Sequence, residues 1–296
     1  MDSFKSGFIS ILGKPNVGKS TLLNRILGDK ITIVSEKPQT TRTRIIGIKN
    51  LQNAQLIFYD TPGIHRPRSR LQDSMVRSAF QAGNDADLIL LLTEAHQPDM
   101  KADESILKNL SSPQVPVFLI INKIDLVKKT TILPLMESYH ALYPFSEIIP
   151  LSALRGEGVE DLITAILRQL PPGPQYFPPD MATDQSERFL AAEMVREQVF
   201  QHTYQEVPYA VGVAIETFTD DPDRGLLSVS AVIFVEKQSQ KAILIGRKGH
   251  MLKRIGTRAR HEMERFFATR VFLRLWVKVK KDWTDNPRLL NEMGYG

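Results

Sequence analysis

The sequence predicts two folded parts. An α/β domain with a mostly parallel sheet occupies 1–170, and an α+β domain occupies 187–296 beyond a proline-rich linker at 171–186. Three observations carry this. First, short and nearly continuous apolar runs at 8–12, 56–59, 88–93, 117–122 and 147–152 alternate with helix-period segments such as 20–27, 103–110 and 159–170. Strands covered on both faces read this way, and βα alternation gives a parallel sheet flanked by helices. Second, PPGPQYFPPD at 171–180 holds five prolines in ten residues and suits neither a helix nor a central strand. Third, the rhythm then changes. A helix is expected at 187–202, and alternating strands at 209–217 and 227–235 around the turn DDPDRG. Two helices follow at 241–245 and 250–269, separated by GRKG, and then a last strand at 271–279.

Composition narrows the possible chemistry. Of 296 residues 42 % are hydrophobic, enough for a core in each part, and none is cysteine. Disulfides, thiolate metal sites and cysteine nucleophiles are thereby excluded, and a reducing compartment is the expectation. The apolar run near the start flows directly into a glycine-rich motif, so it is expected to be a buried strand and not a signal peptide. No stretch approaches the roughly 18 apolar residues of a membrane span. The net charge of +5 is polarised: residues 180–236 carry 3 basic and 11 acidic side chains, whereas residues 237–281 carry 14 basic and 2 acidic ones. Such a basic block suits a polyanion, although a solvated basic face has the same composition.

The strongest motif is Gly13-Lys-Pro-Asn-Val-Gly18-Lys19-Ser20, which follows a strand and opens a helix. Its glycines let backbone N–H groups close around phosphates at a helix N-terminus. Lys19 can reach the β- and γ-phosphates, and Ser20 can offer a hydroxyl to Mg²⁺. Gly13, Asn16, Val17, Gly18, Lys19, Ser20 and Thr21 are the candidate nucleotide contacts here. Asp60-Thr-Pro-Gly63 ends the next apolar run; Asp60 can face a metal, and Gly63 can approach the γ-phosphate. Alone it reads equally as a strand-end turn. Asn122-Lys123-Ile-Asp125 ends a further strand, where a carboxylate at Asp125 can accept from both guanine N1–H and the 2-amino group, and the Lys123 stem can cover the base. Ser152-Ala153-Leu154, uninformative in isolation, can present a backbone N–H to guanine O6.

Taken in order, Gly13–Ser20, the pair Thr40–Thr41, Asp60–Gly63, Asn122–Asp125 and Ser152–Leu154 resemble the small P-loop GTPase family over about 165 residues. The resemblance implies GTP and GDP as ligands with Mg²⁺ held by Ser20, Asp60 and one of Thr40 or Thr41. Lys19, Thr41, Asp60 and Gly63 are the expected catalytic group. Where Ras-like members place a water-orienting Gln, this chain has Ile64, so slow intrinsic turnover is expected. Related loops imply a possible K⁺ at Asn16; the competing reading makes Asn16 a simple turn former. Residues 37–44 and 65–70 are the expected moving segments.

In the second part, Gly246-Arg247-Lys248-Gly249 is a G-x-x-G loop, weak alone but set between helices in a helix–strand–strand–helix–helix–strand order. That order resembles the type II K-homology domain, which implies contact with an RNA backbone by Gly246, Arg247, Lys248 and Gly249, with Lys253 and Arg254 nearby. The stripe Met251, Ile255, Ala259, Met263 and Phe266 reads as core. In 270–280 apolar residues alternate with Arg270, Phe272, Arg274, Trp276, Lys278 and Lys280; Phe272 and Trp276 read first as partial core and second as base-stacking rings. The two parts together resemble the Era family of bacterial ribosome-assembly GTPases. That resemblance implies 16S ribosomal RNA near its 3′ end and the 30S subunit as partners of a cytoplasmic protein, with possible peripheral association with the inner membrane; the sequence leaves the oligomeric state open, with a monomer favoured. Competing readings are an RNA chaperone with structural nucleotide, and a lipid-bound GTPase, whose basic block would have to form one amphipathic helix.

Overall fold

The computed structural model describes residues 4–35, 37, 40–67, 69–110, 115–292 and 295. In chain order the elements are β1 (Lys5–Gly13), α1 (Lys19–Leu27), β2 (Ile45–Leu51), β3 (Ala54–Asp60), α2 (Arg70–Asn84), β4 (Leu88–Glu94), α3 (Met100–Lys108), β5 (Val117–Asn122), α4 (Ile132–Leu142), β6 (Glu147–Pro150), α5 (Val159–Gln169), α6 (Glu187–His202), β7 (Gly212–Asp221), β8 (Leu226–Val235), α7 (Gln238–Ile245), α8 (His250–Phe267), β9 (Arg270–Val279) and α9 (Pro287–Glu292). They form two compact units.

The first unit comprises Met1–Thr32, Thr41–Pro67 and Met75–Asp184. Its sheet runs β2-β3-β1-β4-β5-β6, with β2 antiparallel to β3 and every other neighbour parallel. Both faces are covered. Ile11, Leu22, Leu90, Ile120 and Leu162 fill one core, and Leu12, Leu91, Leu119, Ile121 and Tyr139 the other. Successive strand residues therefore all lie in apolar surroundings, which is why β4 and β5 read as unbroken apolar runs. The β1 chain leaves toward β3 on one side while β4 lies on the other. A crevice consequently opens at the carboxyl ends of these strands, where ligands of open α/β sheets bind. β2 was not foreseen. Its alternation is broken by Gly47, where a Cβ would come within 2.8–2.9 Å of the Leu27 and Leu23 methyls, so α1 lies too close for a side chain there. The helices α2 and α4 were also missed.

The expected linker is not free along its length. Lys5 bridges to Pro172, Ser6 Oγ donates to the Pro174 carbonyl at 2.6 Å, and the Gln55 side chain accepts from the Tyr176 and Phe177 N–H groups at 2.9 Å. Further along, Thr183 Oγ1 donates to the Ile46 carbonyl at 2.6 Å and Ile48 N–H to the Ala182 carbonyl at 2.8 Å. Residues 171–184 thus form a strap on the β1–β3–β2 side of the sheet. Prolines preclude ladder pairing through their own nitrogens, but their neighbours find partners elsewhere.

The second unit comprises Ile33–Thr40, Arg68–Ser74 and Gln185–Gly296. Its sheet runs β7-β8-β9, with β7 antiparallel and β9 parallel to β8. Helices α6, α7 and α8 cover one face, their Val195, Val199, Leu244, Ile255, Ala259 and Met263 sharing a core with Ala231 and Ile233 of β8. β7 starts later than expected because Pro208–Ala210 forms a 3₁₀ turn. α6 carries buried polar side chains that an apolar-stripe reading does not anticipate. Glu197 accepts from the Val34 N–H at 3.1 Å, Arg196 donates to the Thr40 carbonyl and is paired with Glu193, and Lys37 donates to the Phe200 and Thr203 carbonyls. These bonds account for the placement of Ile33–Thr40 in this unit.

Candidate nucleotide and nucleic-acid sites

The loop between β1 and α1 has the backbone its sequence calls for. Gly13, Asn16 and Gly18 have φ of 145°, 66° and 101°. A Cβ on Gly13 would meet the Leu92 carbonyl at 2.4 Å, and one on Gly18 the Asn122 amide at 2.3 Å. Both glycines are therefore demanded by close approach as well as by conformation. Asn16 is exposed in a left-handed conformation that Asn tolerates better than most residues, as the turn-forming reading requires.

Three oxygens converge just behind this loop. Ser20 Oγ donates to Asp60 Oδ2 at 2.7 Å, Thr41 Oγ1 donates to the same oxygen at 3.2 Å, and the two hydroxyls lie 2.9 Å apart. Asp60 is fully buried, and its Oδ1 has no hydrogen-bond partner among the described residues. A buried carboxylate oxygen without a donor, beside two hydroxyls, is a donor set suited to a hard divalent cation. Thr40 does not join it; its hydroxyl donates to the Lys37 carbonyl at 2.7 Å. Lys19 Nζ is held by the Gly13 and Lys14 carbonyls at 3.2 and 2.9 Å. Burial pulls its pKa down to about 8, opposed by the Asp60 charge; burial pushes Asp60 up to about 6, opposed by Ser20, Lys19 and Thr41. Gly63 abuts the loop, since a Cβ there would meet Pro15 backbone atoms at 2.7 Å, and the Ile64 N–H donates to the Gly13 carbonyl at 3.1 Å. The Ile64 side chain packs into the second core of the unit.

The base-recognition candidates gather at the ends of β5 and β6. Asn122 acts as a brace: its amide donates to the Val17 carbonyl at 2.8 Å, and its oxygen accepts from the Ala153 N–H at 2.9 Å. Asp125 accepts from Ser152 Oγ at 2.6 Å, with Arg155 at 3.7 Å and only 6 % of the side chain exposed. Lys123 has φ 64° and pairs with Glu94. Leu154 is 69 % exposed. Thr21 follows Ser20 in the first turn of α1.

Sequence reasoning overlooked three supporting residues. Glu94 orients Lys123. Arg25 on α1 donates to the Ala153 carbonyl at 3.1 Å and to the Leu154 carbonyl. Lys14 pairs with Asp99 at 2.6 Å. Only Glu94 had a signal, as a charged residue ending an otherwise apolar strand at the ligand edge of the sheet.

In the second unit the loop Gly246–Gly249 caps α8. Gly246 has φ 70°, and a Cβ there would meet Met251 Cβ at 2.7 Å; Gly249 has φ 79° with open space around it. Arg247, Lys248, Lys253 and Arg254 are exposed. Beside the loop lies a groove of about 410 Å³ lined by Gly249, Lys253, Gly256 and Arg260 of the α8 side and by Leu273 and Leu275 of β9. Gly256 lets Leu275 approach, since a Cβ would meet its methyl at 3.2 Å. An apolar wall with a cationic rim suits a nucleic-acid strand whose bases face inward and whose phosphates face outward. Within 65–70, Arg68 lies outside the described residues, as do Pro38 and Gln39 within 37–44. No helix among the described residues is long and apolar enough to cross a membrane.

Comparison with known proteins agrees with this geometry. Residues 8–123 match the family described as 50S ribosome-binding GTPase, and residues 206–284 match the KH domain. The GTPase Era of Syntrophus aciditrophicus is 56 % identical over 99 % of this chain and 95 % of its own, and that of Geobacter metallireducens is 53 % identical over 99 % and 98 %. A solved Aquifex aeolicus Era bound to GDP and AlF4⁻ superposes with a TM-score of 0.94 at 43 % identity, covering 99 % of this chain and 100 % of that one. Era in complex with MgGDPNP and nucleotides 1506–1542 of 16S ribosomal RNA does so with a TM-score of 0.94 at 44 % identity, covering 99 % of each. With relatives 53–56 % identical over 99 % of its length, this chain belongs to the Era family of GTPases.

Proposed function

We propose that this Era-family GTPase uses GTP hydrolysis as a switch while holding 16S ribosomal RNA near its 3′ end, during maturation of the 30S subunit. The observation that carries the reading is the convergence of the Ser20 and Thr41 hydroxyls on Asp60 Oδ2, beside an Oδ1 that has no partner among the described residues, with Lys19 held by the loop. The solved relative with MgGDPNP and 16S nucleotides supports both halves.

Ser20 and Thr41 would hold Mg²⁺, with Asp60 behind them. When bound, the ion neutralises charge on the β- and γ-phosphate oxygens. Lys19 would exchange its two loop carbonyls for phosphate oxygens, and the Gly63 N–H would face the γ-phosphate. Asp125, oriented by Ser152, would read the guanine edge under the Lys123 stem. Ile64 cannot orient the attacking water, so backbone groups would hold it and turnover without a partner is slow. K⁺ beside Asn16 would add positive charge to the transition state. Turnover in K⁺ and in Na⁺ at equal ionic strength tests this, and equal rates would return Asn16 to turn formation.

In the second unit, Gly246, Arg247, Lys248 and Gly249 would meet the RNA backbone, with Lys253 and Arg254 on the rim. The chain is expected to be a cytoplasmic monomer with peripheral inner-membrane contact, which cell fractionation and sedimentation would test. The central experiment measures binding of a 16S 3′-terminal fragment and GTP turnover with and without it. Absence of binding at low salt would overturn the ribosomal reading and leave the GTPase.

A further inference from the structure

We propose that the outer face of the three-stranded sheet, turned away from α6, α7 and α8, is a second surface for single-stranded RNA, on which Phe272 and Trp276 stack bases. The proposal rests on the RNA reading of the groove beside Gly249 and extends it: one RNA strand leaves that groove and continues around β9.

β9 is the edge strand, and its alternation assigns successive residues to opposite faces. Leu273 and Leu275 form the groove wall on the helix side. Phe272, Arg274, Trp276 and Lys278 belong to the other side. Phe272 and Trp276 are 47 % and 43 % exposed in the whole chain, so their rings are not core. Beside Phe272 the sheet is floored by small hydroxyl residues, since Phe272 pairs with Ser228 opposite Thr219 and Arg274 with Ser230 opposite Thr217; Trp276 instead pairs with the buried Val232 opposite Ala214. A floor of small side chains with two half-exposed rings projecting from it resembles the sheet platforms that stack bases.

The charge pattern selects the occupant. The Arg274 guanidinium lies 4.9 Å from the Phe272 ring centroid, forming one cationic π-surface. Lys278 meets Glu216 at 2.9 Å and Arg224 meets Asp221 at 3.6 Å, so carboxylates from the β7 side are offset. A protein partner would favour a contiguous apolar patch, whereas here the serine and threonine stretch under Arg274 separates Phe272 from the apolar end at Trp276, Val232 and Ala214. A duplex would use the cations and leave both rings idle. Four residues along a strand separate the rings by about 13 Å, so each ring takes a different base.

Trp276 is a built-in probe, because the second tryptophan, Trp283, is fully buried with its Nε1 bonded to the Ala210 carbonyl. The full chain is titrated with unstructured adenine–cytosine oligoribonucleotides of about four and about twelve nucleotides, while tryptophan emission is followed. The short oligonucleotide should bind without changing emission. The long one should quench it and bind more tightly. Phe272→Ala and Trp276→Ala should each cost roughly 10-fold in affinity for the long oligonucleotide and nothing for the short one, and Trp276→Phe should restore most of the loss. If the short oligonucleotide fails to bind but the long one still quenches Trp276, the groove reading falls and the outer face stands. If both variants keep the full gain with length and emission never changes, the outer face binds no RNA, and a protein partner becomes its occupant.

Discussion

At the scale of single residues, the nucleotide site distinguishes neighbours that sequence alone leaves equivalent. Thr40 and Thr41 are adjacent and chemically identical, yet only Thr41 bonds to Ser20 and Asp60. Thr41→Ala should therefore weaken Mg²⁺-dependent GTP binding by roughly 10-fold or more, as loss of a hydroxyl at a charged centre does, and Thr40→Ala much less. Nucleotide titration with and without Mg²⁺ checks this; equal losses would remove Thr41 from the metal set. Asp125→Asn should reduce affinity for GTP by roughly 10⁴-fold and favour xanthosine triphosphate, because an amide donates where the carboxylate accepted twice. Competition between the two nucleotides measures the exchange. Ser152 Oγ donates to Asp125 Oδ1, and an asparagine oxygen can accept the same bond, so the variant changes the guanine-facing chemistry while keeping this support.

At the scale of elements, two helices make separable predictions. In α3, Asp103 is fully buried; its Oδ2 accepts from Tyr139 at 2.7 Å, and its Oδ1 has no partner among the described residues. Burial raises its pKa, against hydrogen bonds from Tyr139 and Thr93. The folded state thus binds this proton more tightly than the unfolded chain does. Its contribution to stability is present in acid and is lost as pH rises through the raised pKa. Asp103→Asn lacks that loss, so denaturant unfolding should show the variant gaining on the wild type from acid to neutral pH. A constant difference would refute the assignment. In α8, the preceding loop is the expected phosphate contact. Arg247→Ala with Lys248→Ala should lower RNA affinity evenly across sequences and flatten the salt dependence by about 0.7 per lost contact. Gly249→Asp has open space for its side chain but strains the backbone at φ 79°, so circular dichroism must show the variant folded; folded, it should lose RNA. Unchanged salt slopes in folded protein would leave the loop a helix–helix turn.

At the scale of the whole molecule, the boundary between the parts is the instructive feature. The strap at 171–184 is tied to Ser6, Gln55 and Ile46, although its prolines read as a linker. A fragment ending at 184 should therefore melt several degrees above one ending at 170, because the shorter one loses the strap's hydrogen bonds to Ser6, Gln55 and Ile46 and opens the buried Gln55 to water. Matching melting curves would show the strap to be passive. Likewise Ile33–Thr40 groups with the second unit through Arg196, Glu197 and the α6 carbonyls, a membership no local pattern announces.

Much was legible in the residues themselves. Gly13–Ser20, Asp60–Gly63 and Asn122–Asp125 are demanding because their chemistry needs fixed residue types at fixed spacing, and the apolar runs of β1, β4 and β5 announce a sheet buried on both faces. The αββααβ order of the second part followed from periodicity in the same way. β2 was hidden because Gly47 answers to α1 and not to the strand, and the buried polar residues of α6 because their partners lie some 160 residues away in sequence. Sequence by itself therefore determined the fold class, the phosphate-loop motif and the candidate carboxylate at Asp125, all of which rest on local patterns. Only the tertiary structure decided between Thr40 and Thr41, tied down the proline strap, recruited Arg25 and Glu94 to the base pocket, and turned Phe272 and Trp276 outward. Each of those depends on which distant backbone or side chain arrives within hydrogen-bonding or packing distance, and no local pattern encodes that.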